Sequence, residues 1–296
     1  MPTFEPNEPT ETLPNKMLYL GHTGAGKTGS CAALAAAGYN VRILDLDKGV
    51  QILRDYVRNA ERSIYLKARE GLWDAKTAAG TASRLSFVSL DETMVLTGAP
   101  GKQKFVPKGD LWSKAMEQLN DWRDGPSRAF GNIGDWGARD VLVLDGLSRL
   151  AQAAYNQQLA MSGNIGKFGT VPGDYRPDMY SAQIALERLL LTLFSSAVKC
   201  HVVMVCHIAI ANNPEGILEG FPQTLGRALA PKIGQYFNHA IMAKDNNGSR
   251  VIVTDTKGMV RLKTPAPLRV KAEYPLETGL AEYFRDVAGP ASPATP

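Results

Sequence analysis

The chain has 296 residues, 44% of them hydrophobic and 21% charged, with a formal net charge of +4. This is ordinary globular composition, with length for one large domain or two small ones; the mild basicity permits a nucleic-acid partner without demanding one. Cys31, Cys200 and Cys206 form no C-x-x-C pair, which suggests a reducing cytosol, and no apolar run approaches the ~20 residues that span a bilayer.

Residues 1–15 are acidic and proline-rich, the opposite of a signal peptide. They cannot bury enough apolar surface to offset their ordering entropy, so 1–15 and 289–296 read as flexible tails around one domain over 16–288. Lys16-Met17-Leu18-Tyr19-Leu20 is a short apolar strand. It runs into Gly21-His22-Thr23-Gly24-Ala25-Gly26-Lys27-Thr28, which fits the phosphate-loop pattern G-x-x-x-x-G-K-[ST] at every fixed position. An Ala-rich helix over 28–38 follows, ended by Gly38. Glycines let backbone N–H groups, through Gly29, curl around phosphates, and the helix N-terminus adds partial positive charge. Lys27 would reach the β/γ-phosphates of ATP, and the Thr28 hydroxyl would hold Mg²⁺.

Residues 40–47 read as a buried parallel strand ending in two acids, Asp45 and Asp47. A helix is predicted over 50–70, and a strand over 84–90. Residues 97–110 read as a loop or exposed hairpin, and 110–123 as an amphipathic helix with Asp110 as N-cap. The stretch from about 60 to 140 is treated as an insertion; its tryptophans, with no clear basic pattern around them, read as packing residues. Asp140-Val141-Leu142-Val143-Leu144-Asp145 is a continuous apolar strand whose terminal Asp145 would bind Mg²⁺, the Walker B pattern.

A helix is predicted over 146–159, a long polar loop over 160–178 and a strong helix over 179–198. Residues 200–207 form a buried strand ending in His207, and a second long loop is predicted over 209–227. A short helix over 228–238 and strands over 240–243 and 249–254 follow, the strands joined by a tight turn at Asp245-Asn246-Asn247-Gly248. A basic segment holds Lys257, Arg261 and Lys263, and a final surface helix covers 277–287. Alternating strands and helices from 17 to 207 give an α/β fold, a mostly parallel sheet with its site at the C-terminal edge and antiparallel strands near the C-terminus.

The run GHTGAGKT, the acids of ILDLDKG, then VLVLD and HVVMVCH, with one long loop before and one after the last strand, resembles the RecA/RAD-type recombinase core over about 17–265. The compact length is similar to the phage-encoded Sak-type single-strand annealing and recombination proteins. The resemblance implies a RecA-like ATPase domain, with ATP and Mg²⁺ as cofactors and single-stranded DNA as partner. It implies self-association into a filament or ring, a single-strand-binding protein as a further partner and no membrane, with the host cytoplasm as location. The family's catalytic glutamate matches Asp47, an Asp where the family has Glu, with Asp45 as the alternative. Its polar sensor matches His207, and its residues acting on a neighbour's ATP match Lys257, Arg261 and Lys263. Its two DNA loops match 160–178 and 209–227. Positive charge beside stacking aromatics is what single strands require. The first loop supplies Lys167, Phe168, Tyr175 and Arg176; the second supplies Phe221 and Arg227, with Glu215 and Glu219 against them.

Two other functions fit a phosphate loop: a nucleoside-type small-molecule kinase, and an ATP-gated DNA-binding module with little hydrolysis. The kinase lacks a lid-like arginine cluster after the Asp145 strand; the Asp at 47 favours the module. A zinc site at Cys200-His201 and Cys206-His207 is excluded, since six strand residues span about 20 Å.

Overall fold

The computed structural model describes residues 13–49, 53–68, 80–167, 173–213, 215–226, 228–246, 248–256 and 258–288. The strand Lys16–Gly21 (β1) is followed by helices Lys27–Ser30 (α1) and Ala32–Ala36 (α2), then the strand Asn40–Asp45 (β2) and the helix Leu53–Ala68 (α3). Next come strands Leu85–Ser89 (β3), Met94–Thr97 (β4) and Lys104–Pro107 (β5), the helix Leu111–Asn120 (α4), and short strands Trp122–Arg123 (β6) and Ala129–Gly131 (β7). The strand Asp140–Asp145 (β8) leads to helices Leu147–Met161 (α5) and Arg176–Phe194 (α6). Strands His201–Cys206 (β9), Ile208–Asn212 (β10), Leu218–Pro222 (β11), His239–Asn246 (β12), Ser249–Val253 (β13) and Glu273–Pro275 (β14) precede the helix Leu276–Ala288 (α7).

Eight strands form the main sheet in the order β14-β13-β12-β1-β9-β8-β2-β3. Its six strands from β12 to β3 are parallel, while β13 and β14 are antiparallel. This is the mostly parallel sheet with antiparallel strands towards the C-terminus that the alternation of elements predicts. The parallel strands are apolar on both faces, as a sheet covered on both sides requires. Leu18, Leu20, Leu44, Leu142, Leu144, Val202 and Met204 pack against α4, α5 and α6. Their sequence neighbours Met17, Tyr19, Ile43, Val141, Val143, Val203 and Val205 pack against α1, α2, α3 and α7. Period-two alternation therefore divides one sheet between two helical layers. Trp112, Trp122 and Trp136 are buried in the first layer, and Trp122 Nε1 donates to Ser86 Oγ at 2.8 Å.

The structure corrects four expectations. Residues 209–227 are not one loop: β10 and β11 pair as an antiparallel hairpin from Ile208↔Pro222 to Asn212↔Leu218. The Asn213 side chain accepts from the Glu215 and Ile217 amides, and Gly216 takes φ +80°, so the described residues between are a turn rather than free chain. The loop before α6 is shorter than 160–178, because α5 runs to Met161 and α6 begins at Arg176. Pro177 starts that helix instead of blocking it, since its missing N–H falls among the first-turn donors that have no partner. The last helix is not a surface helix: Leu276, Leu280, Tyr283 and Phe284 recur on one stripe and are buried. Asp110 precedes α4 but does not cap it with its side chain; its Oδ1 accepts from the Thr93 amide at 3.0 Å.

No helix among the described residues is long and apolar enough to cross a membrane. Asn15 is already inside: its amide donates to His201 Nδ1 and its carbonyl accepts from the Val202 amide, both at 2.9 Å.

Candidate functional site

The site forms where β1, β8, β2 and β9 end. Past β1 the chain turns through Gly21, Gly24 and Gly26, at φ +155°, +80° and +84°. Gly26 is the residue before α1 and has no side chain to cap it. The first amides of α1, at Lys27, Thr28 and Gly29, thus point from the helix start without intrahelical acceptors, the arrangement that binds anions. Two close contacts fix this turn. A Cβ on Gly26 would lie 2.5 Å from Leu276 Cδ2 of α7, and one on Gly29 would lie 2.4 Å from the Tyr56 ring of α3. Neither position admits a side chain, so the loop is held from below by α7 and from the side by Tyr56. Arg250 of β13 donates to the Tyr56 hydroxyl at 3.2 Å.

Lys27 is buried, and its Nζ donates to the carbonyls of Gly21 at 2.8 Å and His22 at 2.9 Å. Burial lowers its pKa, which the Asp145 charge opposes. The ammonium is thus stored against the loop's own backbone, within reach of any phosphate the loop cradles.

β8 is not the neighbour of β1, because β9 lies between them. Asp145 nevertheless reaches the loop: Thr28 Oγ1 donates to Asp145 Oδ2. Register explains the approach. Asp45 pairs with Asp145 across β2 and β8, and both share the face of the sheet that carries α1. Burial raises the Asp145 pKa to about 6; the Thr28 hydrogen bond pulls the other way, and the nearby Asp47 and Asp45 charges add to the rise. Thr28 and Asp145 offer hard oxygen donors at the mouth of the phosphate loop, which suits Mg²⁺. Among the described residues no group of three His, Cys, Asp or Glu could hold a metal alone. A magnesium ion here would complete its shell with phosphate oxygens and water, as this ion commonly does.

The two acids after β2 part ways. Asp45 is buried and committed, its Oδ1 accepting from the Gly49 amide at 3.0 Å and its Oδ2 from Ser89 Oγ at 2.8 Å. Asp47 lies two residues beyond the strand and is turned towards the open edge. Its Oδ2 is 3.5 Å from His207 Nε2 and its Oδ1 3.7 Å from Arg149 Nε. Between Asp47 and Gly49, Lys48 takes φ +60°, the left-handed conformation that no other non-glycine adopts among the described residues. That conformation costs ~1–3 kcal/mol, and the Asp47 carboxylate beside it reaches across the end of β8. There Gly146 makes room: a Cβ at Gly146 would fall 2.2 Å from Asp47 Oδ2. His207 directly follows β9, and its Nδ1 is buried without a hydrogen-bond partner among the described residues.

Arg149, Tyr56, Gly49 and Gly146 have no site role in the sequence reading. Arg149 had one visible signal, an arginine in the first turn after an acid-ended strand. Tyr56 had none, since its partner glycines lie far away in sequence.

The remaining predicted residues lie elsewhere. Phe168, Arg227 and Lys257 fall outside the described residues. Lys167 is exposed, and Tyr175 is half-buried against the core. Arg176 belongs to α6 rather than to the loop, and forms a two-pronged pair with Asp174 at 2.8 Å. Arg261 is not a free cation: its Nε lies 2.5 Å from Glu219 Oε1 of β11. Lys263 exchanges both backbone hydrogen bonds with Ala240 at the base of β12, its side chain exposed. A cleft of about 470 Å³ beside the phosphate loop is walled by His22, Thr23, Ile208, Ile210, Met242 and Met259 among others.

No protein-family model matches this chain, and no curated protein does. Among solved structures it is similar to a crystal structure of the RadB recombinase, at 10% identity over 90% of each chain with a TM-score of 0.42. A likeness of that degree decides neither activity nor site residues.

Proposed function

We propose that this chain is a RecA-like ATPase that binds single-stranded DNA and promotes annealing or homologous pairing, in the manner of the Sak-type phage proteins. The observation that carries the ATPase reading is the contact between Thr28 and Asp145 beneath an uncapped, glycine-built helix start, with Asp47 facing it. Strand, phosphate loop, helix and a second strand's acid meet in space as nucleotide chemistry requires.

The amides of 24–29 bind the phosphates. Lys27 leaves the Gly21 and His22 carbonyls and pairs with the β/γ-phosphate oxygens. Thr28 and Asp145 would hold Mg²⁺, which would neutralise charge on those oxygens when bound. Asp47 accepts a hydrogen bond from the attacking water and takes its proton, oriented by His207 and Arg149. His207 is joined directly to β10, so its contact with the phosphate side of the site bears on the β10–β11 hairpin. The segment between α5 and α6 with Lys167, Phe168 and Tyr175, together with Arg176 and Arg227, contacts the strand of DNA. Copies assemble into a filament or ring, and Lys257, Arg261 and Lys263 act on the neighbour's nucleotide; Arg261 does so by leaving Glu219.

A binding module with little hydrolysis is the second reading. The Asp at 47 favours it, since its carboxylate reaches one methylene less far than a glutamate would. Phosphate release measured with and without single-stranded DNA separates the two. Lys27→Ala is expected to abolish ATP binding by calorimetry, and retained affinity overturns the phosphate-loop assignment.

A further inference from the structure

From 97 to 109 the chain reads Thr-Gly-Ala-Pro-Gly-Lys-Gln-Lys-Phe-Val-Pro-Lys-Gly, with lysines at 102, 104 and 108; the first acid after it is Asp110, whose Oδ2 lies 3.9 Å from the exposed Lys108 Nζ. This stretch forms the turn and second strand of the β4–β5 hairpin. Antiparallel register sets Leu96 opposite Phe105 and Met94 opposite Pro107, so these side chains share one face. That face is turned outward: Phe105 is 70% exposed, Leu96 51% and Met94 50%. The opposite face is seated on the body through Val106, which is buried.

The ribbon is held in place. Glu92 Oε1 accepts from the Gly109 and Asp110 amides at 2.8 and 2.9 Å, and its Oε2 accepts from Asn156 of α5 at 3.1 Å. At the tip, Lys104 Nζ donates to the carbonyl of Gly166 at 2.6 Å. The hairpin is thereby tied to the segment between α5 and α6, the same segment assigned above to single-stranded DNA. β3 delivers it from the edge of the sheet that holds the nucleotide, since Ser89 is level with Asp45.

An outward apolar ribbon face calls for a partner. Lysines on both sides of an aromatic select a polyanion with flat bases, because stacking on a ring and charge along phosphates are the two parts of single-strand binding. We propose that the β4–β5 hairpin is a further contact for single-stranded nucleic acid. Phe105 stacks on a base, and Lys102 and Lys108 follow the phosphates on either side. This rests on the reading of the chain as a single-strand binder. A second copy of the chain is the competing occupant, and it would set one lysine rim against another.

The test uses the full chain with ATP and Mg²⁺ and a fluorescent oligo(dT), read by anisotropy over a salt series. Phe105→Ala is expected to weaken binding about 5- to 150-fold, the usual loss for one stacked base. Lys102→Ala with Lys108→Ala is expected to flatten the slope of log affinity against log salt by about 1.4, or ~0.7 per phosphate contact. If the unaltered protein binds and both variants match it in affinity and slope, the hairpin is not a contact and the proposal is overturned. If the unaltered protein binds no oligo(dT), the function reading falls and this inference with it. If the variants change only the mass seen by light scattering, the hairpin joins copies of the chain and the proposal is likewise overturned. Phe105, Lys102 and Lys108 are exposed, so the variants are expected to melt with wild type.

Discussion

Gly146→Ala tests whether Asp47 is the group that activates water. Gly146 stands between the acid of β8 and the first turn of α5, at φ +151° and ψ +106°. An alanine there incurs two penalties. The backbone conformation costs an L-residue ~1–3 kcal/mol. The new methyl would also sit 2.2 Å from Asp47 Oδ2, 2.6 Å from its Cγ and 2.9 Å from Oδ1. An unstrained contact needs ~3.5 Å, so the carboxylate must retreat by about 1 Å. Asp47 is partly exposed and can move, so the stability loss is set by the backbone, at about 2–4 °C in melting temperature per kcal/mol. The catalytic loss is set by the carboxylate: a displacement of ~1 Å in a reacting group can cost about 100-fold in turnover. Lys27, Thr28 and Asp145 stay in place, so affinity for Mg-ATP is expected to hold within a few-fold. Phosphate release and calorimetric ATP binding, measured beside Asp47→Asn, read the two effects separately. Wild-type turnover in the alanine variant would refute the assignment of Asp47. Loss of affinity with normal turnover per bound ATP would place the damage at Asp145 instead.

Asp145 gives a pH dependence. Its pKa is about 6 in the folded chain against 3.8 ordinarily, raised chiefly by burial. A raised folded pKa means the folded state binds the proton more tightly. Its stabilising contribution to the ligand-free chain is present below pH 3.8 and disappears as pH rises through about 6. Mg-ATP affinity runs the opposite way, because the ion needs the carboxylate; it is expected to fall below about pH 6, and Asp145→Asn to lose that limb in a calorimetric series. Arg149→Ala removes one of the two groups that hold Asp47 and is expected to lower turnover about 10-fold with ATP affinity unchanged, since orientation of the base is part of what general-base catalysis supplies. A shift in the Michaelis constant alone contradicts that role. Glu219→Gln frees Arg261 from its carboxylate; if Arg261 serves a neighbouring copy's nucleotide, turnover is expected to become more steeply dependent on protein concentration, and an unchanged dependence removes it from that part.

Much of the fold was legible because its signals are local. The strands ending at Gly21 and Asp145 are continuous apolar runs, the one ending at Asp45 is apolar but for Arg42, and G-x-x-x-x-G-K-T fixes loop and helix start together. The hairpin at 208–222 was hidden because small alanines alternate with isoleucines and the turn depends on how the Asn213 side chain accepts two amides. The depth of α7 was hidden for a different reason. Its amphipathic stripe specifies that one face is apolar, but only tertiary placement shows that every residue from Thr278 to Phe284 is covered. At the site, residue types could be read and distances could not. Asp45 and Asp47 are both acids near the end of one strand, and nothing in their order reveals that Ser89 and Gly49 engage the first. That division needs β3 beside β2, a pairing across the intervening chain.

The packing of Leu276 against Gly26 bears on how the protein is made. The phosphate loop leaves the ribosome early, while the helix beneath it is translated only after every strand of the main sheet. A nascent chain therefore displays its nucleotide signature long before it can hold that loop in shape. On the ATPase reading, nucleotide capture is expected to wait until α7 has been translated, because Leu276 closes the space beneath Gly26.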